Sequence, residues 1–516
     1  MGALQLAART FAHVPELIAI HASEQAQKCA IVQGSTTISY HELNATTGRI
    51  AAALQRDGVT QGRSVAIVSA TTVQATLIFL GAIKAGCVPA PIAPSGSAEQ
   101  ILAMIKDSAA AVVLVDAEAK ALLPALDIQF DIQVVDLERL ESWLPAEGVE
   151  PAPVTIEPQH SFNIIYSSGT TGVPKGIVHT HGMRWAQISG YGVAQFDQAV
   201  TLVATPLYSN STLISLLPTL AYGGTAVLLG KFDAHEFLAE AQRLQATHTM
   251  LVPVQYQRIM NLPDFDTFDL TSFRFKSCTS APFSEQLKRE VVRRWPGLLV
   301  EVYGMTEGGG TCLLMANQFP AKLHTVGRPA PGCDICLIDE QGNEVAAGEV
   351  GEVVGRSAAM MSGYHGQADT TRKAIWTDGQ GRQYFRHGDL GRFDDDGFLI
   401  LLGRSKDMII SGGFNVYPPD IEAVIRQHPE IDDCAVIGVP SSAWGETPYA
   451  FFVGKTNSFS VDEVVSWVNG RVGKTQRLSG AQAIDQLPLS AIGKVLKREL
   501  RDRFHSEYPF LSVSLY

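Results

Sequence analysis

Residues 166–176 read YSSGTTGVPKG, and no other stretch of the chain concentrates so much chemistry. Ser167, Ser168, Thr170 and Thr171 offer hydroxyl donors, and Lys175 adds a mobile positive charge. Gly169 and Gly172 let the backbone turn tightly and bring its N–H groups close to a ligand. That inventory suits a polyphosphate, whereas an ordinary flexible turn needs neither the lysine nor so many hydroxyls. The spacing also departs from a Walker A loop: Lys175 follows Pro174 and precedes Gly176, which disfavours an ordinary P-loop NTPase.

Further candidates lie downstream. Asp389 follows His387 and Gly388, and a fixed carboxylate is a good double acceptor for two ribose hydroxyls. The plain alternative is an Asp389–Arg404 surface ion pair with no ligand, worth at most about 1 kcal/mol. Glu307, beside the glycines 308–310, reads by itself as a solvated loop acid, and Tyr303 as a core aromatic. By charge patterning, Lys494, Lys497 and Arg498 read as one solvated basic helix face. Cys333 and Cys336 have a spacing that can mark redox or zinc chemistry. No second pair lies near them in sequence, and strand alternation would send the two side chains to opposite faces.

Taken together, the segments 166–176, 303–307 (YGMTE), 385–389 (FRHGD), 403–407 (GRSKD) and 488–494 (PLSAIGK) resemble, in order, the motifs of the adenylate-forming (AMP-binding) superfamily. Acyl- and aryl-CoA synthetases, nonribosomal adenylation domains and luciferases belong to it. The likeness runs from about residue 39 to about residue 500. It implies that a carboxylate attacks the α-phosphorus of ATP, giving an acyl-adenylate and pyrophosphate, and that the acyl group then passes to the thiol of CoA. ATP, Mg²⁺ and CoA are the cofactors and co-substrates it implies. Two anions must meet in such a reaction, so catalysis should be mostly positioning and charge stabilisation.

The resemblance also assigns roles. Ser167, Ser168, Gly169, Thr170, Thr171, Gly172 and Lys175 would cradle the β- and γ-phosphates. Tyr303 would lie against adenine, Ser280, Ala281, Pro282 and Gly304 would belong to the ATP/AMP site, Thr306 would contact the α-phosphate, and Glu307 would ligate Mg²⁺. Asp389 and Arg404 would hold the ribose. Lys494 would bridge the substrate carboxylate and the α-phosphate as the catalytic lysine, alongside Thr306 and Glu307. Lys406 would be the hinge about which a small domain turns. Ser411, Gly412 and Gly413 would line a pantetheine tunnel, with Trp444 near it; domain-interface packing accounts for Trp444 equally well. The acid pocket would draw on Tyr208, Ser209, Gly304, Gly308 and Gly309, within the segments 208–211, 279–281 and a strand at 308–314. Those segments hold no cation for a second carboxylate, so a monocarboxylic acid, aromatic or short- to medium-chain, is expected over malonate-like diacids.

Several positions depart from the family pattern. Ser209 stands where the fourth motif usually has histidine, GRSAAMMSGYHG replaces the usual Arg-Gly-Pro of the sixth, His387 replaces a threonine or serine, and TQRL replaces a basic-x-proline element. These touch the acid pocket and CoA contacts and leave the nucleotide chemistry intact. Alternatives to the ligase are a stand-alone enzyme loading a carrier protein, a catalytically silent nucleotide-binding protein, and a luciferase-like oxidase. No carrier domain follows in the sequence, which favours CoA, and the joint retention of Lys494, Glu307 and Asp389 speaks against a silent scaffold.

The elements that must position these groups can be read too. Ser39 and Glu42 have the form of a capping box opening a helix, with Leu43, Thr47, Ile50 and Leu54 on one face. Short apolar runs at 65–68, 112–115 and 226–229 alternate with helix-length segments, which argues for α/β layers with largely parallel sheets. The apolar stretch 213–229 is broken by Pro218 and by Gly223 and Gly224, and reads as core rather than a membrane span. Residues 332–402 turn to short strands and Gly/Asp turns, a β-rich subdomain. With the resemblance, the fold expected is a large N-terminal domain of layered α/β subdomains, residues 1–403, a hinge at 404–407, and a small mobile α+β domain at 408–516. The stretch 403–407 reads as linker, and Pro418 opens a helix with Ile421, Val424 and Ile425 as its apolar stripe.

At 516 residues, 46% hydrophobic and 18% charged, the chain is folded and too long for one core. A net charge of −12 argues against non-specific nucleic-acid binding and against an anionic membrane surface. Seven cysteines, an odd count in so long a chain, do not suggest a disulfide framework and fit a reducing cytoplasm. No signal peptide is read at the start, the terminal Ser-Leu-Tyr is no peroxisomal address, and a homodimer is the ordinary prior.

Overall fold

The computed structural model describes residues 5, 8–122, 132–167, 175–190, 194–411, 414–441, 444–456, 459–490 and 493–508. The chain forms two compact units: Met1–Asp334 with Gly355–Phe385, and Ile335–Val354 with Arg386–Tyr516. Among the described residues no helix is long and apolar enough to cross a membrane.

The first unit is layered α/β. One sheet holds, in order, Val88–Ile92, Ser64–Val68, Ala110–Val115 and Gln133–Asp136, all parallel. Every residue of Ser64–Val68 and Val88–Ile92 is buried, as expected of parallel strands covered on both faces. A larger sheet has a parallel centre and antiparallel edges. Its order is Arg328–Pro329, Thr311–Met315, Leu298–Gly304, Phe275–Cys278, His248–Leu251, Val200–Val203, Thr225–Leu228, Cys29–Gln33 and Thr36–Ser39. A third, antiparallel sheet sets Lys175–Thr180 between Gly363–Tyr364 and Ser161–Ser167.

Local signals explain much of this. The helix Tyr40–Arg56 starts with the expected capping box: the Glu42 N–H donates to Ser39 Oγ at 3.2 Å and the Glu42 carboxylate accepts from the Ser39 N–H at 2.7 Å. Its buried stripe, Leu43, Ile50 and Leu54, packs into the same core as Ile78, Phe79 and Leu216. Each such side chain contributes roughly 1.5–3 kcal/mol of burial.

Two sequence expectations need correction in this unit. Pro218 does not break the apolar stretch, because the helix Asn210–Tyr222 runs through it. The helix is buried nearly all round, and that packing outweighs the one backbone bond that Pro218 cannot make; Gly223, at φ 89°, ends it. Residues 308–310 are not strand: the strand is Thr311–Met315, and the glycines form its approach.

The second unit is α+β at its C-terminal end. The strands Phe414–Val416, Ile409–Ser411, Gly445–Gly454 and Ile431–Ser441 form one sheet, extended by Gly480–Ala483 alongside Gly445–Gly454. The helices Pro418–Ile425 and Val461–Asn469 pack Ile421, Ile425, Val464 and Val468 against Ile409, Val436 and Phe452. Within 403–407, Gly403 and Arg404 are not open linker but the end of the strand Leu399–Arg404, with Arg404 opposite Asp389 and Gly403 opposite Leu390. A short 3₁₀ turn, Ser405–Asp407, follows. Cys333 and Cys336 are partly buried and form no disulfide. The fold class is the layered α/β architecture with a smaller α+β part that the sequence implied.

Candidate active site

Leu298–Gly304 and Thr311–Met315 pair antiparallel, with Tyr303 opposite Cys312 and Gly304 opposite Thr311. The connection 305–310 therefore carries Thr306 and Glu307 on a loop whose ends are fixed by the sheet. Gly308 has φ 72°, and a Cβ there would run into the carbonyl oxygen of Ala359. Only glycine lets the loop lie this close to its neighbour. Two hydrogen bonds fasten its backbone: Met361 N–H to the Glu307 carbonyl at 2.8 Å, and Ser357 Oγ to the Gly308 carbonyl at 2.8 Å.

A side chain that the sequence reading did not single out, Tyr364, assembles the site. Its phenol donates to Glu307 Oε1 at 2.8 Å, and Lys175 Nζ lies 5.2 Å from the centre of its ring. Glu307 is 7% and Tyr364 9% exposed. Burial and the neighbouring Glu307 carboxylate push the phenol above its ordinary range, which keeps it a donor. The backbone reinforces the arrangement, since Tyr364 pairs with Ile177 and the His365 N–H donates to the Gly176 carbonyl at 2.7 Å. Lys175 and Glu307, from two separate sequence motifs, are thus held on one aromatic residue. Beneath Thr306, the imidazole Nε2 of His179 lies 2.8 Å from the Thr306 carbonyl; His179 and its neighbour Arg184 were also not singled out from sequence.

The segments expected to shape an acid pocket are polar and compact. Ser209 precedes the helix Asn210–Tyr222 without capping it, and its hydroxyl lies 2.7 Å from that of Ser211, both buried. Tyr208 is half-buried, and burial raises its phenol. Gly309 packs so closely that a Cβ would press on Phe385. Ser280, just past the strand Phe275–Cys278, has φ 81°, a left-handed conformation that costs a non-glycine residue about 1–2 kcal/mol. Strain of this kind clusters at ligand-contacting turns. Thr279 anchors the turn through its hydroxyl on the Val302 carbonyl at 2.7 Å, while Ala281 is half-buried and Pro282 exposed.

The remaining candidates lie in the second unit. Arg404 Nε is 2.8 Å from Asp389 Oδ1, and Arg404 Nη1 donates to the His387 carbonyl at 2.9 Å. The ion pair weighed from sequence is therefore present, with its carboxylate largely buried. Lys406 lies in the 3₁₀ turn that follows. Lys494 does not share a helix face with Lys497 and Arg498, because the helix is Lys497–Glu507 and Lys494 precedes it. It sits in a tight turn closed by the Ser490 N–H on the Lys494 carbonyl at 2.8 Å and the Lys494 N–H on Ser490 Oγ at 3.1 Å, with Gly493 at φ 74°. Lys497 points inward instead, donating to Glu422 Oε1 at 2.7 Å and the Val436 carbonyl at 2.9 Å. Ser411 is a buried strand residue opposite Gly445, and Trp444 is exposed, with Lys474 Nζ 5.6 Å from its ring. Ser168, Gly169, Thr170, Thr171, Gly172, Gly412 and Gly413 lie outside the described residues, and of Ser167 only the backbone is described.

A divalent cation can be tested against this donor set. Among the described residues no group of three or more His, Cys, Asp or Glu side chains converges. Glu307 is a single buried carboxylate with one oxygen held by a phenol. That fits a hard ion which draws most of its ligands from substrate phosphates and water, as Mg²⁺ does, and not an all-protein cage.

Two family models match the chain: "AMP-binding enzyme" over residues 18–365, and "AMP-binding enzyme C-terminal domain" over residues 420–494. Feruloyl-CoA synthase of Amycolatopsis sp is 32% identical over 483 residues, covering 92% of this chain and 96% of its own. Long-chain-fatty-acid–CoA ligase FadD13 of Mycobacterium tuberculosis is 30% identical over 498 residues, covering 93% and 96%. Among solved structures, ATP-bound MatB from Rhodopseudomonas palustris superposes with a TM-score of 0.85 at 28% identity, covering 96% of this chain and all of that one, 100%.

Proposed function

The chain belongs to the AMP-binding enzyme family and is an acid–thiol ligase of that family, and from this premise we propose that it joins a monocarboxylic acid to CoA through an acyl-adenylate, releasing AMP and pyrophosphate. The observation that carries the reading is the pairing of Lys175 and Glu307 on Tyr364: a cation and a metal-competent carboxylate, held rigidly beside the Thr306 loop.

Each role follows from charge. Lys175, with the hydroxyls of Ser167, Ser168, Thr170 and Thr171, holds the β- and γ-phosphates and lowers the cost of the negative charge that builds on departing pyrophosphate. Thr306 contacts the α-phosphate. Glu307 holds Mg²⁺, which when bound neutralises phosphate charge. Tyr303 lies against the adenine, Gly304 and the 280–282 turn belong to the nucleotide site, and Asp389 accepts from the ribose with Arg404 orienting it. Lys494, on its short turn, supplies a compact ammonium where carboxylate and α-phosphate meet, worth on the order of 3 kcal/mol of the barrier. Residues 404–407, centred on Lys406, act as the hinge between the domains 1–403 and 408–516, and Ser411, Gly412, Gly413 and Trp444 receive the pantetheine arm. The segments 208–211, 279–281 and 308–314 hold hydroxyls, glycines and apolar groups but no Lys, Arg or His. This supports an aromatic or short- to medium-chain monocarboxylic acid.

Carboxylate-dependent ATP–pyrophosphate exchange, run over hydroxycinnamates, benzoate, hexanoate and malonate, tests the proposal, followed by mass measurement of the product with CoA. The expected result is exchange with one of the monocarboxylates and a CoA thioester. Exchange with malonate exceeding that with benzoate and hexanoate would refute the substrate class. An adenylate that CoA does not discharge would point to a carrier-protein acceptor instead.

A further inference from the structure

Arg184, on the helix His181–Ser189, is 1% exposed, and among the described residues no carboxylate pairs with it. A guanidinium has five N–H donors, and here each finds a neutral acceptor. Nε and Nη2 donate to Asn163 Oδ1 at 3.2 and 3.0 Å, Nη2 also to His179 Nδ1 at 2.6 Å, and Nη1 to Gln187 Oε1 and Asn210 Oδ1, both at 2.8 Å. Burial pushes its pKa down to about 9, which still leaves a cation at neutral pH. A buried charge without a counter-ion is expensive, and an apolar residue would fill the space more cheaply.

Two of its contacts lead to the site. Because a guanidinium only donates, His179 Nδ1 must carry the lone pair, and the ring proton is on Nε2. Asn163 Oδ1, 3.3 Å from the same Nδ1, is then a second acceptor on the one guanidinium. The imidazole, held neutral by burial and by Arg184, donates from Nε2 to the Thr306 carbonyl. Since a peptide is planar and trans, turning the Thr306 carbonyl toward His179 aims the Glu307 N–H the opposite way, away from the imidazole. The other contact, Asn210, heads the helix that follows Tyr208 and Ser209.

We propose that Arg184 and His179 are positioning residues for adenylation. Arg184 fixes the His179 tautomer, His179 fixes the Thr306–Glu307 peptide, and the same guanidinium ties that loop to the acid-side segment through Asn210. The catalytic meaning rests on the ligase reading above, but the positioning itself is testable without turnover. His179→Asn keeps an acceptor near Nδ1 for Arg184 and cannot reach Thr306. His179→Gln keeps a donor near Nε2 for Thr306 and gives up the acceptor.

The experiment is AMP affinity by calorimetry, with thermal unfolding and pyrophosphate exchange on the same proteins. His179→Asn should weaken AMP binding on the order of tenfold, the loss of about one charge-directed hydrogen bond, and His179→Gln by less than about threefold. In exchange, His179→Asn should lower kcat while leaving KM for the acid near its starting value, and Arg184→Lys should raise that KM as well. Equal AMP affinity in the two His179 variants, in either direction, overturns the positioning role, as does an unaltered protein that binds no AMP. AMP binding ordered as expected with no exchange for any acid supports the positioning and overturns the ligase reading.

Discussion

Tyr364→Phe isolates the tie between Glu307 and the phenol that holds it. The bond removed is an O–H to carboxylate contact of 2.8 Å between groups that are 9% and 7% exposed. Such a charge-assisted bond is worth about 1.5–3 kcal/mol. Little else changes. The ring remains for Lys175 to lie over, and the backbone bonds from Met361 and Ser357 still hold the loop. The whole cost therefore falls on the direction and solvation of one carboxylate. If Glu307 holds Mg²⁺, losing this outer partner should raise the Mg²⁺ activation constant roughly 10- to 100-fold.

The assay is pyrophosphate exchange against free Mg²⁺ at saturating ATP and acid, with AMP affinity measured in chelator and thermal unfolding as controls. AMP affinity and the unfolding midpoint should stay near those of the unaltered enzyme. An activation constant within twofold of the original would refute either the metal role of Glu307 or the claim that Tyr364 aims it. A large drop in AMP affinity together with the midpoint would show that the phenol supports the loop itself, contrary to the division of labour argued from the backbone bonds.

Further outcomes follow from other positions. Lys494→Ala should cut adenylation by on the order of 100-fold or more yet leave thioester formation from supplied acyl-adenylate within a few-fold, read by single-turnover mass measurement. Gly308→Ala should lower stability by at least about 1–2 kcal/mol from the left-handed φ alone, with more from the Ala359 contact, read by urea unfolding. His248 has its pKa lowered from 6.5 to about 4, chiefly by burial, so the unfolded chain takes up the proton first as pH falls. The stability it contributes is complete above pH 6.5 and lost progressively toward pH 4, by up to roughly 3 kcal/mol. His248→Gln should flatten that slope of unfolding free energy by about one proton, measured between pH 7.5 and 4.5.

What the sequence made legible was whatever is decided within a few residues. The capping box at Ser39, the parallel strands and the helix opened by Pro418 depend on local periodicity and caps, and they stand in the structure. The ordered motifs named the family. The supports of the site were not legible, because each depends on a pairing across the fold. Tyr364 sits in a Gly-Tyr-His-Gly run that could be any turn; only the strand Gly363–Tyr364, paired with Lys175–Thr180, puts its ring under Lys175 and its hydroxyl on Glu307. Arg184 misleads a sequence reading for a different reason. Charge patterning assigns an arginine to the surface, and nothing local shows that four neutral side chains will saturate it in the interior. Lys494 and Lys497 were grouped by spacing, but Gly493 and the Ser490 bonds close a turn before the helix starts. The two lysines are thereby separated, one on the turn and one on Glu422.

On the proposed chemistry, that separation has a mechanistic use. A carboxylate and a triphosphate repel each other, so positive potential must favour their approach, yet a cation bonded to either would also retain the adenylate. Arg184, with every donor occupied by a neutral acceptor, contributes field without offering a contact that must later break. Lys175 differs: its ammonium lies over a ring in the same unit, and on the proposed chemistry it holds only the β- and γ-phosphates, which leave as pyrophosphate. Lys494, on a short exposed turn next to the anchored Lys497, would be the cation whose position changes if residues 404–407 act as the proposed hinge. Fixed charges would then lower the cost of bringing the anions together, with Lys494 reserved for the bond-making step. The thiol step can follow without dismantling the field.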